Sequence, residues 1–156
     1  EAFLTGCSPV SKSSGPALNA SQIGLLNEIG ETIIPTTPDS GGAKAANIGE
    51  FMNTIVTDFY NENERNTFLN GITLLEKKPF SDFSESERVS FIMDLEREVK
   101  QTEGDHYYLM IKQLTILGYM TSEVCATELF DNAPVPGYFE PSLDYKKGDK
   151  VMFPNT

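Results

Sequence analysis

Apolar residues recur along this chain every three or four positions, in runs separated by short clusters of proline, glycine and small polar residues, and that period is helical. Leu25, Leu26, Ile29 and Ile33 form the first stripe, with Ser21 as its expected N-cap and Pro35 as its stop. Thr36 to Gly42, with Pro38, Asp39, Gly41 and Gly42, reads as a turn-rich loop. Asn47 then caps a second stripe of Ile48, Phe51, Met52, Ile55, Val56 and Phe59, sustained for three turns. A third helix is predicted from about 62 to 77, with Phe68, Leu69, Ile72 and Leu75 inward. Lys77 and Lys78 complement the dipole at its end, and Pro79 stops it. Ser84-Glu85-Ser86-Glu87 is a capping box for a fourth helix carrying Val89, Ile92, Leu95 and Val99 on one face, with Phe91 beside them, and Gly104 breaks it. The fifth stretch, about 105 to 117, holds Tyr107, Tyr108, Met110, Ile111, Leu114 and Leu117. Being apolar nearly all round, it predicts a central, buried helix closed by Gly118. Thr121 or Ser122 caps a short sixth helix reaching Phe130.

From Asp131 the pattern stops. Pro134, Pro136, Gly137, Pro141, Gly148 and Pro154 interrupt any helix, and Tyr138, Phe139, Tyr145 and Phe153 are scattered among them. A coil of this length with aromatics is uncommon inside a compact domain, so it is expected to be an extended arm lying on its own bundle or on a partner. No stretch alternates with period two for long enough to demand a sheet. The expected fold class is therefore all-α: a bundle of five to six helices over 19–131, preceded by a signal remnant and linker at 1–18, and followed by a non-regular arm at 132–156.

Composition narrows the range of partners. Twelve basic residues against 23 acidic ones give a net charge of −11. Nucleic acid is not expected as a partner, because phosphate binding needs a basic face. No run of about 18 apolar residues is present to span a membrane. Leu4-Thr5-Gly6-Cys7 has the pattern of a bacterial lipobox, in which the cysteine thiol receives a diacylglycerol. Ser8 to Ala17 is small, polar and proline-flanked, as a tether between lipid and domain would be. Cys7 is thus the candidate lipidation site, and the expected location is the periplasm or cell envelope, with membrane attachment only through that lipid. Cys125 falls in the sixth helix and reads as a small core residue, so no bridge to Cys7 is expected.

The ingredients of most catalytic sites are missing from the pattern. His106 is the single histidine, at the start of the fifth helix, where a capping or packing role is expected. One histidine cannot build a His-based zinc cage or the paired Glu-x-x-His motifs of a di-iron bundle. Gly41-Gly42-Ala43-Lys44 lacks the spacing of a phosphate-binding loop. Glu62/Glu64, Glu85/Glu87 and Glu96/Glu98 sit two apart, on different sides of their helices. No catalytic, cofactor-binding or metal-binding residue is expected in this chain.

Two stretches carry a resemblance. Leu26-Asn-Glu-Ile-Gly-Glu-Thr-Ile-Ile-Pro35, then Thr36-Thr-Pro-Asp-Ser-Gly-Gly-Ala43 and a helix with Phe51, resemble the opening of the gluconate 2-dehydrogenase subunit 3 family. Ile111-Lys-Gln-Leu-Thr-Ile-Leu-Gly-Tyr-Met-Thr-Ser-Glu123, followed by Pro136-Gly-Tyr138, resembles its later part. The likeness spans about 21 to 140, although Met120 stands where the family usually has a second tyrosine and the tail past Tyr138 matches no pattern. The resemblance implies a small helical subunit without a redox centre, bound to a flavoprotein large subunit of the glucose–methanol–choline type. That partner would carry FAD and oxidise a sugar or sugar acid, in some complexes with a cytochrome c subunit. The family also implies a role in maturation and twin-arginine export, and lipobox-like cysteines occur in it. A stand-alone envelope lipoprotein binding a ligand or glycan is the alternative.

Interfaces favour Tyr, Phe and Met anchors. The expected docking segments are accordingly Tyr119, Met120, Thr121 and Ser122 at the turn, and Pro136, Gly137, Tyr138 and Phe139 in the arm.

Overall fold

A computed structural model describes residues 17–102, 104–131, 142, 144 and 146–152. Five α-helices make the body: α1 Ala20–Ile33, α2 Ile48–Asp58, α3 Glu62–Glu76, α4 Glu85–Gln101 and α5 Tyr107–Met120. A π-helical segment, Cys125–Leu129, follows, and Phe130–Asp131 (β1) pairs in parallel with Val151–Met152 (β2). The fold is all-α, as the periodicity predicts, with this two-residue pairing as its one ladder among the described residues. Most of the expected arm, including residues 132–141 and 153–156, lies outside the described residues, as does the whole segment 1–16 with Cys7.

Local chemistry explains the boundaries. α1 begins earlier than the Ser21 cap implied, because Asn19 and Gln22 form a reciprocal box. The Asn19 Oδ1 accepts from the Gln22 N–H at 3.0 Å, and the Gln22 Oε1 accepts from the Asn19 N–H at 3.1 Å. Asn61 and Glu64 do the same for α3. At α4 the Glu87 carboxylate accepts from both the N–H and the hydroxyl of Ser84, at 2.8 and 2.6 Å. Asn47 caps α2 differently. Its side chain makes no capping hydrogen bond; it sits in the left-handed region at φ 56, and the Oδ1 of Asn27, across on α1, accepts from the buried Gly49 N–H at 2.8 Å.

α5 packs on all four other helices, with Tyr108, Ile111, Leu114, Thr115, Gly118 and Tyr119 buried. Beneath it lie Leu26, Ile29, Ile48, Met52, Val56, Phe68 and Ile72, all fully buried. Each such side chain stabilises the fold by about 1.5–3 kcal/mol relative to exposure. α3 approaches so closely that a Cβ on Gly71 would lie 2.2 Å from the Tyr107 ring, and glycine alone permits the contact.

Three sequence expectations fail here. α5 is not buried all round: it runs on to Met120 and leaves Leu109, Ile116, Leu117 and Met120 on its outer side. Val89 and Phe59, expected inward, are exposed, Val89 at the margin of its stripe and Phe59 as the C-cap residue just past the end of α2. Gly104 lies beyond the end of α4 at φ +96; the helix has already stopped at Gln101, with Thr102 as its C-cap.

Candidate partner interface

The two stretches that carry the family resemblance meet in space. The loop between α1 and α2 is folded over the C-terminal end of α5 and held by side chains from three directions. From α1, the Glu31 carboxylate accepts from the Thr36 N–H at 2.8 Å, the Thr36 hydroxyl at 2.7 Å and the Lys44 N–H at 2.9 Å. From α5, the Tyr119 hydroxyl lies 2.6 Å from the Ser40 hydroxyl and donates to the Gly41 carbonyl at 2.9 Å. From the π-helical segment, the Glu128 carboxylate accepts from the Gly41 N–H at 2.6 Å. Glu28 adds an ion pair to Lys44 and another to Arg88 of α4 at 2.7 Å, and Arg88 also lies over the Phe80 ring.

These partners set the carboxyl pKa values. The Lys44 ammonium, against the cost of burial and with help from Arg88, holds Glu28 below the usual glutamate range. Burial works to raise Glu31, but the Thr36 hydroxyl and the two N–H donors outweigh it, and Glu31 is also lowered. Both are therefore charged at neutral pH, as acceptors that organise a loop anchored in the core by the buried Ala43.

The predicted docking residues divide. Tyr119, expected to be exposed, is buried at 5% because its hydroxyl reaches down to Ser40 and Gly41; it supports the turn from below. Met120 is half exposed and Thr121 exposed. Ser122 is half-buried: its hydroxyl donates to the Tyr119 carbonyl at 2.7 Å and accepts from the Cys125 N–H at 3.2 Å, closing the turn. Pro136, Gly137, Tyr138 and Phe139 lie outside the described residues. Cys125 is fully buried, and that burial pushes its thiol up.

Sequence reasoning missed the surface next to this turn. Of the nine large apolar side chains that the described residues expose, four lie on α5, which concentrates them on one helix. Lys112 is the single charge on α5, and Glu96 of α4 takes it, with the Tyr108 hydroxyl at 3.2 Å from the same carboxylate oxygen. A signal was present: the ten residues from Gln113 to Ser122 contain no charge, in a chain with 23 acidic residues.

His106 behaves as a cap. Its Nδ1 accepts from the Tyr108 N–H at 3.2 Å, its ring stacks on Tyr107 at 4.5 Å, and its Nε2 lies 3.6 Å from Glu98. Among the described residues no group of three or more His, Cys, Asp or Glu is placed to hold a metal, and no helix is long and apolar enough to cross a membrane.

The sequence profile described as Gluconate 2-dehydrogenase subunit 3 matches residues 20–137, the five helices and the clamped loop included. The chain belongs to that family. Subunit 3 is thus a small component of a dehydrogenase complex, and partnering with the other dehydrogenase subunits follows from membership. No curated protein and no solved structure matches the chain.

Proposed function

We propose that this subunit 3 is a non-catalytic accessory protein. It binds the FAD-carrying large subunit of a sugar or sugar-acid dehydrogenase of the glucose–methanol–choline type, and supports that subunit's maturation and export. The observation that carries the reading is the apolar outer side of α5, whose one charge, Lys112, is paired with Glu96, beside a loop clamped by Glu31, Tyr119 and Glu128. A protein with a net charge of −11 that leaves Leu109, Ile116, Leu117 and Met120 facing water has surface suited to a partner. FAD belongs to the large subunit in this reading, and a cytochrome c subunit is a further candidate member of the complex. Cys7 carries the lipid that holds the assembly at the cell envelope, on its periplasmic side.

The test is co-production of the flavoprotein with and without this chain. The expected result is that the large subunit is recovered soluble and FAD-loaded only with subunit 3, and that the two co-elute. A large subunit that loads FAD and turns over equally well alone, with subunit 3 eluting separately, overturns the reading.

One observation favours the alternative of a stand-alone envelope lipoprotein. An open cleft of about 490 Å³ is lined by Leu74, Leu75, Phe91, Leu95 and Tyr107, together with Lys77, Lys78, Asp94 and Glu98, a size that accommodates a small ligand. Saturable calorimetric binding of gluconate to the isolated chain, abolished by Tyr107→Ala, would favour that reading.

A further inference from the structure

The exposed residues of α5 are not scattered over its outer side. Leu109, Gln113, Ile116 and Met120 follow one another at steps of four, three and four, and all four are exposed. That spacing is the seam of a coiled coil, a stripe running almost parallel to the helix axis. Leu117 and half-buried Met110 flank it on one side, and the neutralised Lys112 on the other. From Leu109 to Met120 the stripe covers three helical turns, about 16 Å at the rise of an α-helix.

We infer that this seam receives an α-helix of the dehydrogenase's large subunit, packed along α5 in coiled-coil fashion. The inference rests on the accessory-subunit reading above and specifies how the partner is held. Three arguments choose the occupant. First, the backbone groups of α5 are consumed within the helix, so a strand cannot add to it by main-chain hydrogen bonds, and only side-chain ridges and grooves are on offer. Second, three apolar side chains exposed by 37–50% offer no more than an ordinary monomer patch of about 300–600 Å², whereas a stable pair needs about 800 Å² from each side. A second copy meeting α5 face to face would fall short and would double a net charge of −11. A larger partner supplies the missing rim beyond the helix. Third, Pro134, Pro136 and Pro141 deny the chain's own following segment the sequence of a three-turn helix. Gln113, polar at the middle of the seam, would fix the register of the pair, as a single buried amide does in coiled coils.

The experiment uses the co-produced complex. Ile116→Lys and Met120→Lys are compared with Leu74→Lys and Met93→Lys, which alter one exposed apolar residue each on α3 and α4. The expected result is that the α5 variants weaken large-subunit binding about 100-fold or more, with the helical circular dichroism and melting of the isolated chain unchanged. The α3 and α4 variants bind as the parent does. A photo-crosslinker at Gln113 should join large-subunit residues spaced three or four apart. If the parent binds but the α5 variants bind equally well, the seam is wrong and the accessory function stands. If the parent itself fails to bind the large subunit, both fall. A parent that sediments as a dimer, dispersed by Ile116→Lys, or a crosslink from Gln113 to residues 132–145 of the same chain, also overturns the proposal.

Discussion

α4 and α5 lie side by side on the bundle and treat water in opposite ways. α4 buries only Ile92 and Leu95, and although it exposes Val89 and Met93, most of its open side is Glu85, Glu87, Asp94, Arg97, Glu98 and Lys100. α5 buries six residues on one side and on the other presents Leu109, Gln113, Ile116, Leu117 and Met120 without a charge. The first pattern is that of a solvated helix. In the second, apolar surface beyond the needs of the core is retained, and the isolated chain gains nothing from it. The contrast separates two kinds of hydrophobic residue within one helix, those that hold the fold and those left over for another protein.

The largest effect should come from the inner side. Ile111 is fully buried on the inner side of α5, and Ile111→Ala leaves a cavity between helices that cannot all close in at once. A loss of about 2–5 kcal/mol is expected in urea unfolding of the isolated chain. A loss under about 1 kcal/mol would mean that α5 is packed far more loosely than its burial indicates.

Next comes the clamp at the end of the same helix. Tyr119→Phe keeps the ring in place but leaves the Ser40 hydroxyl and the Gly41 carbonyl without the phenol between them. The expected cost is about 1–2 kcal/mol, together with faster hydrogen exchange at Gly41 than at residues of α2. If Tyr119 were instead a partner anchor, the substitution would spare both stability and exchange and would act on binding alone.

How much of this could be read in advance follows from the physics of each feature. The five helices were visible because a period of 3.6 repeats for several turns in each. The Glu87 box at Ser84 was visible because both partners lie within four residues. The inward turn of Tyr119 was not, since its partners Ser40 and Gly41 are nearly 80 residues away in the chain. The Asn19–Gln22 box was available at the same short range as the Ser84 one, but Ser21, nearer the first apolar residues, competed with it. The outer side of α5 was misread for a different reason. A helix apolar all round is buried if neighbours surround it, and nothing local says that the neighbours cover only one side.

A smaller effect comes from pH. The folded pKa values of Glu28 and Glu31 lie below the ordinary glutamate value of 4.5. The unfolded chain therefore takes up protons first as pH falls. Their contribution to stability is present above the ordinary value and is lost as pH drops through the lower folded values. Glu31 is only partly buried, so solvent screening keeps its share to under about 1 kcal/mol. Glu31→Gln should flatten part of the acid limb of a stability-against-pH curve while leaving the neutral plateau little lower. A curve of unchanged shape would remove Glu31 from the clamp.

The smallest expected effect is the one that decides the contrast. Ile116 lies on the same helix as Ile111, with the same side chain, and is 44% exposed. Ile116→Ala removes no core contact, and alanine has the better helix propensity, so the change should fall within about 0.5 kcal/mol of zero. The pair of substitutions thus compares inside with outside at constant chemistry, by urea unfolding of the chain alone. If Ile116→Ala costs as much as Ile111→Ala, its side chain is already covered by this chain's own residues and α5 has no outer surface to offer. If it costs nothing alone but weakens the complex, the methyl groups of Ile116 have no structural use until a second protein is present, which is what sets α5 apart from α4.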